Sequence, residues 1–187
     1  FLMWPGESTT HPQFSQIVGK IREAPGGFGK VVMYTNGTNL SGLMEFAELG
    51  RTGPVQLIVS LDAASPMTYS EIKGKNCYQQ VVANCHMLLE RCTELPFLEL
   101  SLQFLILPGN LHEVDLFRVF WNEELSKLNL KSGVISDYNM ECYGENQLNL
   151  TFRRASIDDM ERSNRLYLEG LTKLGIAPHR RYLDNGS

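Results

Sequence analysis

Apolar residues along the chain fall into two kinds of segment that alternate with each other. One kind is a short continuous apolar run bounded by turn residues, which is typical of a strand buried on both faces. We predict five strands of this kind, over residues 1–4, 31–34, 55–61, 98–107 and 133–136. The other kind has apolar residues three and four positions apart, as in Phe14, Ile17, Val18 and Ile21, which is the spacing of one helix face.

Helices of this second kind separate the strands. We predict them over residues 12–24, 41–49, 68–73, 78–94, 111–128 and 156–174. Gly50 and Gly175 are expected to end two of the helices, and Ser156 is expected to cap the last one. Continuous apolar strands that alternate with helices indicate an α/β fold with an open parallel sheet covered by helices. The polar and aromatic segment 138–156 departs from the pattern, and we assign no strand to it.

Composition excludes several classes of protein. The chain has 187 residues, 17 Lys and Arg, 21 Asp and Glu, and a net charge of −4. This balance argues against a nucleic-acid partner, which needs a concentrated basic face. No apolar run approaches the roughly 20 residues that span a bilayer, and the first residues do not form a secretory signal. We therefore expect a cytoplasmic protein that does not associate with membranes.

The cysteines point to a reducing compartment. Cys77, Cys85, Cys92 and Cys142 form no CxxC pair, so neither a zinc ribbon nor a redox motif is present. Cys85 and Cys92 lie seven residues apart on one predicted helix and cannot be adjacent in space. We predict reduced thiols.

Polar residues follow the predicted strands. In a parallel sheet these strand ends share one edge, and ligands bind there. The candidate residues are Gly6, Glu7 and Ser8 after the first strand, Thr35 and Asn36 after the second, Ser60 and Asp62 at the third, and Gln103 within the fourth. Their position at one rim predicts a binding site.

Each candidate also has a structural interpretation. Thr35 and Asn36 precede Gly37, which is typical of a turn. Ser60 and Asp62 are placed to cap the next helix.

Three further candidates carry charge or an amide. Glu7 either satisfies the amides that begin the first helix or pairs with a base. Gln103 needs hydrogen-bond partners in an apolar strand, and either a polar neighbour or a ligand supplies them. Lys73 follows a helical turn, where a surface lysine is the simplest interpretation. The residues alone leave these alternatives open.

Taken in order, the rim motifs resemble the radical S-adenosylmethionine superfamily, in the branch that often carries an auxiliary-cluster domain. The similar segments are Gly6-Glu7-Ser8-Thr9-Thr10-His11-Pro12, Thr35-Asn36-Gly37-Thr38, Ser60-Leu61-Asp62, Lys73-Gly74, Gln103-Phe104-Leu105-Ile106 and Asn110-Leu111-His112-Glu113. Each is short, and their order and spacing carry the resemblance, which extends from Phe1 to about Ile135.

The resemblance implies a partial (βα)6 barrel of the TIM type and a site for S-adenosylmethionine. The backbone of residues 6–8 would meet the amino group of the methionine moiety. Ser60, Asp62 and Lys73 would face its ribose or carboxylate, and Leu105 would lie near the adenine. Thr35, Asn36 and Gln103 would complete the cofactor-binding set.

The resemblance also implies a [4Fe–4S] cluster held by a CxxxCxxC loop, which in the family lies ahead of the Gly-Glu segment. This sequence begins after that point. We expect residues 1–137 to be a core truncated before its first strand and cluster loop. Residues 138–187 would be a linker and helix that lead to a further domain.

The implied function follows from the family. The whole enzyme would cleave S-adenosylmethionine reductively to a 5′-deoxyadenosyl radical, and would take hydrogen from a small-molecule or peptide substrate. Flavodoxin or ferredoxin would be the reductant. The cluster belongs to the full-length protein only, so the chain by itself would be inactive.

Two other functions stay open. The chain is alternatively a cluster-free binding or scaffold module, or a parallel-barrel enzyme without radical chemistry that uses Lys73 or Glu7 as acid or base. An exposed sheet edge also predicts self-association across the first strand. The resemblance requires Gly6, Asn36, Ser60 and Gln103 to lie along one rim.

Overall fold

A computed structural model of the chain describes residues 6–136, 148–155 and 157–176. In this part the strands are β1 Val31–Thr35, β2 Val55–Ser60, β3 Leu98–Ile106, β4 Gly133–Ser136 and β5 Leu148–Arg154. The α-helices are α1 Phe14–Arg22, α2 Leu40–Ala47, α3 Pro66–Lys73, α4 Tyr78–Cys92, α5 Val114–Lys127 and α6 Met160–Lys173. Short 3-10 helices cover Ser8–Thr10, Glu48–Arg51 and Leu111–Glu113. The first predicted strand, residues 1–4, lies outside the described residues.

The five strands form one parallel sheet in the order β1-β2-β3-β5-β4. Every neighbouring pair is parallel. The predicted α/β class, with an open parallel sheet covered by helices, is therefore confirmed. Among the described strands the sheet does not close on itself, which is consistent with a partial barrel.

The strand order differs from a simple succession because β5 lies between β3 and β4. The sequence pattern predicts no strand over residues 148–154, and that prediction is wrong. Apolar and polar residues alternate in this strand, whereas the other predicted strands are continuous apolar runs. Asn149 and Thr151 are nevertheless buried. The strand therefore lies inside the sheet, between β3 and β4, although every second residue in it is polar. The division of the chain at residue 137 stays a prediction.

Gly50 does not end a helix as predicted. Helix α2 ends at Ala47 and continues as the 3-10 helix that contains Gly50. A Cβ at this position would lie 3.0 Å from the Leu98 Cβ and 3.1 Å from the Leu98 amide nitrogen. The glycine is thus needed for close packing against the start of β3.

The last helix ends as predicted but begins differently. Gly175 follows α6 with a φ of 67°. Asp159 caps the start of α6, where its side chain accepts a hydrogen bond from the Arg162 amide. Ser156, the predicted cap, lies outside the described residues.

The two faces of the sheet differ in polarity. One face belongs to the hydrophobic core and carries Leu57, Val59, Leu100, Leu102 and Phe152. The other face carries buried polar side chains, which include Gln56, Glu99, Ser101, Asn149 and Thr151. Glu99 accepts hydrogen bonds from Gln56 at 2.8 Å, from Asn149 at 3.3 Å and from Lys30 at 2.5 Å. This polar face leads toward the strand ends where the site lies.

Within the described part of the chain, no helix combines the length and apolar character needed to cross a bilayer. Cys77, Cys85 and Cys92 are present as thiols, in agreement with the predicted reduced state. Cys142 lies outside the described residues.

Candidate cofactor site at the carboxyl ends of the strands

A cavity of about 580 Å³ opens at the carboxyl ends of the parallel strands. This is the edge where ligands bind in sheets of this kind. Eight of the ten predicted site residues line it, namely Gly6, Ser8, Thr35, Asn36, Ser60, Lys73, Gln103 and Leu105. The four residues expected along one rim, Gly6, Asn36, Ser60 and Gln103, therefore meet in one cavity. That they bind a cofactor stays a prediction.

Lys73 provides a positive charge in the cavity wall. It stands in the last turn of α3, and its ammonium group pairs with the Asp62 carboxylate and donates to the Ser60 hydroxyl at 3.0 Å. The Ser60 hydroxyl donates in turn to Asp62 at 2.7 Å. The Lys73 side chain is 22% exposed, whereas that of Asp62 is 4% exposed. The lysine is thus an oriented cation, not a freely moving surface residue.

Asp62 is held by its backbone as well as by its side chain. Its φ of 61° lies in the left-handed region, which is uncommon for a residue other than glycine. Its second carboxylate oxygen accepts the Leu105 amide at 2.7 Å. Asn110, which is fully buried, donates to the carbonyl oxygens of both Asp62 and Leu105 at 2.8 Å. These contacts fix the loop after β2 to the end of β3.

The structure therefore does not use Ser60 and Asp62 as helix caps, which was one of their open interpretations. Ser65 caps α3 instead, where its hydroxyl accepts from the Thr68 amide. Glu113 strengthens this helix start. Its buried carboxylate accepts from the Ala64 amide at 2.7 Å, from the Ser65 hydroxyl and from the Thr68 hydroxyl at 2.8 Å.

Glu7 lies behind the cavity wall and connects the first loop to β1. Its carboxylate accepts from the Thr9 hydroxyl and the Thr35 hydroxyl, each at 2.8 Å, and from the amides of Thr9 and Asn36 at 3.2 and 2.6 Å. It caps the short 3-10 helix at residue 8 rather than α1. Neither predicted role, capping the first helix or pairing with a base, is the one observed.

Asn36 and Gly37 form the predicted turn and at the same time shape the cavity. The Asn36 side chain accepts from the Thr38 amide at 2.9 Å. Gly37 has a φ of 79°, and a Cβ there would lie 2.8 Å from Val81 and 2.9 Å from Val59. The turn interpretation and the site interpretation of this segment are compatible.

Three further residues line the cavity and are not predicted by the sequence pattern, namely Tyr34, Arg153 and Arg154. The two arginines end β5, the strand that the sequence pattern did not reveal. The sequence signal for them is a pair of adjacent basic residues that follows a run of alternating apolar and polar residues. With Lys73, they give the described lining three basic residues and no acidic one.

The described residues do not provide the ligands of an iron–sulfur cluster. Within residues 6–136, 148–155 and 157–176, no group of three His, Cys, Asp or Glu side chains is placed to hold a metal ion. Cluster ligation needs cysteine thiolates. Burial raises the pKa of the Cys92 thiol to about 12 and raises the pKa of Cys85 as well, so both remain protonated at neutral pH.

Comparison with known proteins gives a partial similarity. No protein-family model matches the sequence. GTP 3′,8-cyclase from three strains of Vibrio cholerae serotype O1 is 31% identical to the chain over 111 residues. The match covers 59% of this chain and 31% of each relative, so the chain corresponds to less than a third of those proteins. GTP 3′,8-cyclase is a radical S-adenosylmethionine enzyme, and the similarity suggests that superfamily for this chain.

Proposed function

We propose that the chain binds S-adenosylmethionine in the cavity at the strand ends, as the cofactor-binding part of a radical S-adenosylmethionine enzyme. The observation that carries this proposal is the convergence of eight predicted residues from separate segments on one cavity. The partial similarity to GTP 3′,8-cyclase supports the same family.

The residues present fit the chemical groups of this cofactor. A volume of about 580 Å³ lies in the usual range for small-molecule sites. Lys73 offers a cation for a carboxylate, and the polar groups of Gly6 and Ser8 offer hydrogen-bond partners. Leu105 supplies an apolar wall for a flat base. When bound, S-adenosylmethionine would supply a sulfonium group that a one-electron donor can cleave.

The chain's own residues hold the ligand in this proposal. Asp62 and Ser60 keep the Lys73 ammonium at the wall, which reduces the side-chain entropy lost on binding. Asn110 fixes the loop that carries Asp62 to the end of β3, which carries Leu105. The site is therefore largely formed before the ligand arrives.

Calorimetric titration of the purified chain with S-adenosylmethionine tests the proposal. Lys73→Met should weaken binding about tenfold or more, because a charge-assisted contact to the carboxylate is lost. Lys75→Met is the matched control, since Lys75 is exposed two residues away. Its affinity should equal that of the unchanged chain. Absence of binding at millimolar cofactor, or equal losses in both variants, would contradict the proposal.

Radical chemistry, a small-molecule or peptide substrate, and flavodoxin or ferredoxin as reductant belong to the proposal for the whole protein. GTP is in the name of the relatives, and a partial match does not transfer that substrate to this chain. An acid–base barrel enzyme is less well supported. The Glu7 carboxylate is occupied by four donors and does not line the cavity, and Lys73 is paired with Asp62.

A further inference from the structure

Two polar residues of the cavity wall are not used by the hydrogen bonds of the fold. Gln103 and Tyr34 both line the cavity, and both are half-buried. Within residues 6–136, 148–155 and 157–176, neither the Gln103 amide nor the Tyr34 hydroxyl forms a hydrogen bond. The sequence left open whether a polar neighbour or a ligand satisfies Gln103. Since no described neighbour does so, the structure favours a ligand.

The strand register places both residues on the polar face of the sheet. Gln103 of β3 pairs with Ser60 of β2. Tyr34 of β1 pairs with Ile58 of the same strand β2. Ser60 and Ile58 are two residues apart, so their side chains and those of their partners point to one face. That face is opposite to Leu57 and the hydrophobic core.

The two residues are separated by a distance that a small ligand can bridge. Strand β2 lies between β1 and β3, so the strands that carry Tyr34 and Gln103 are about 10 Å apart. Along the strands, Gln103 lies two residues, or about 7 Å, closer to the carboxyl ends. Their backbones are thus about 12 Å apart on the diagonal. Two long side chains on one face and a ligand with one ring can span this gap.

The chemistry of the two side chains limits the kind of ligand. The Gln103 amide carries a donor and an acceptor next to each other. It therefore pairs with a group that presents N–H and C=O on one side, as a primary carboxamide or a ring lactam does. A trans peptide bond points its N–H and C=O in opposite directions, so it cannot form both hydrogen bonds. The ring of Tyr34 offers a flat surface against which another ring packs.

We propose that Gln103 and Tyr34 bind the substrate beside the cofactor, through a planar carboxamide or lactam group. Gln103 forms paired hydrogen bonds with this group, and the Tyr34 ring packs against the flat body that carries it. The resemblance places Gln103 among the cofactor residues, whereas this proposal assigns its amide to a second ligand. It rests on the proposed function only in calling that ligand the substrate. The amide site itself depends on the two side chains and the cavity.

Ligand-observed NMR titration of the full 187-residue chain with two probes, benzamide and uracil, tests this site. The chain should bind at least one probe at millimolar concentration, and the preferred probe distinguishes a carboxamide from a lactam. The fully N-methylated analogue of each probe lacks the N–H and should bind at least about fivefold more weakly. Failure of both probes to bind, or equal affinity for the methylated analogues, overturns the proposal.

Three variants identify the residues. Gln103→Met removes both hydrogen-bonding groups at nearly constant size and should weaken the preferred probe at least about fivefold. Tyr34→Leu removes the ring and should weaken it about threefold or more, whereas Tyr34→Phe keeps the ring and should stay within about twofold. Gln79→Met is the control, because Gln79 is exposed on α4 and does not line the cavity. Unchanged affinity in Gln103→Met or in Tyr34→Leu overturns the proposal.

The outcomes separate this inference from the proposed function. Probe binding that depends on Gln103 and Tyr34, in a chain that does not bind S-adenosylmethionine, supports the amide site and contradicts the cofactor proposal. Cofactor binding with probe affinities that are equal in the unchanged chain and in all variants does the reverse. Circular dichroism and thermal unfolding of each variant verify that the fold is retained. The methylated probes need no variant, so they test the site even if a substitution prevents folding.

Discussion

At the scale of single residues, Asp62 joins the loop after β2 to both Lys73 of α3 and Leu105 of β3. Its carboxylate pairs with Lys73 and accepts the Leu105 amide, and its backbone adopts a left-handed conformation. Charge, hydrogen bonding and backbone geometry are thus combined in one residue. Different substitutions separate these contributions.

Asp62→Asn should remove the charge but keep the hydrogen bond from the Leu105 amide, since asparagine tolerates a positive φ. We expect the free energy of unfolding to fall by about 1–3 kcal/mol, because Lys73 loses its ionic partner. Asp62→Ala should cost about 1–2 kcal/mol more, since alanine is strained in the left-handed region. Urea unfolding of both variants measures the difference. Equal stability of the two variants would contradict the role assigned to the backbone.

The buried thiols predict how stability depends on pH. Burial raises the pKa of Cys92 from about 9 to about 12, and burial raises the pKa of Cys85 in the same direction. Above pH 9 the unfolded chain loses protons that the folded chain keeps, so stability should fall as pH rises from about 9 to about 12. Urea midpoints at pH 8, 9 and 10 measure this. Cys92→Ala should flatten the slope, and a stability that is constant over this range would be the contrary result.

At the scale of elements, α3 carries Lys73 to the cavity and is positioned by a residue of another segment. Glu113, from the 3-10 helix before α5, accepts three hydrogen bonds at the start of α3. Its side chain is 5% exposed. The position of the lysine therefore depends on a carboxylate about 40 residues further along the chain.

Glu113→Ala should leave the buried Thr68 hydroxyl and two part-buried donors, of Ala64 and Ser65, without their acceptor and lower the free energy of unfolding by about 3 kcal/mol. It should also weaken S-adenosylmethionine binding, because Lys73 loses its fixed position. Chemical unfolding and calorimetry measure the two effects. Glu123→Ala on the exposed face of α5 is the control and should change stability by less than about 0.5 kcal/mol. A similar loss in the control would show that the effect is not specific.

The sequence predicts strands that are continuous apolar runs and helices whose apolar residues are three and four positions apart. Strands β1 to β4 and the helices were found because burial on both faces leaves long apolar runs, as in β2. Strand β5 was missed since Asn149 and Thr151 face a buried polar surface, which local periodicity cannot distinguish from solvent. Because β5 was not predicted, Arg153 and Arg154 were not identified as residues of the site either. The partners of Glu7 and Glu113 were also beyond prediction, because they depend on contacts between distant segments.

At the scale of the whole molecule, the open sheet predicts self-association. Among the described strands, β1 and β4 stand at the two ends, and each pairs with one neighbour. Unpaired strand edges tend to pair with other chains. The association predicted from the sequence runs across residues 1–4, which lie outside the described part.

Light scattering over a range of protein concentrations checks this prediction. The mass should rise from 21.2 kDa toward twice that value as concentration increases. Moderate salt should have little effect, because backbone pairing is not primarily ionic. A constant mass of 21.2 kDa at every concentration would contradict it.

The cavity wall is assembled from residues that range from Gly6 to Arg154. A partly folded chain cannot offer this surface, so a molecule that occupies it binds only the complete sheet. Ligand at a hundred times its dissociation constant would add about 2.7 kcal/mol to the stability of that state. The supply of the ligand in the cell would then help to decide how much of the protein survives proteolysis.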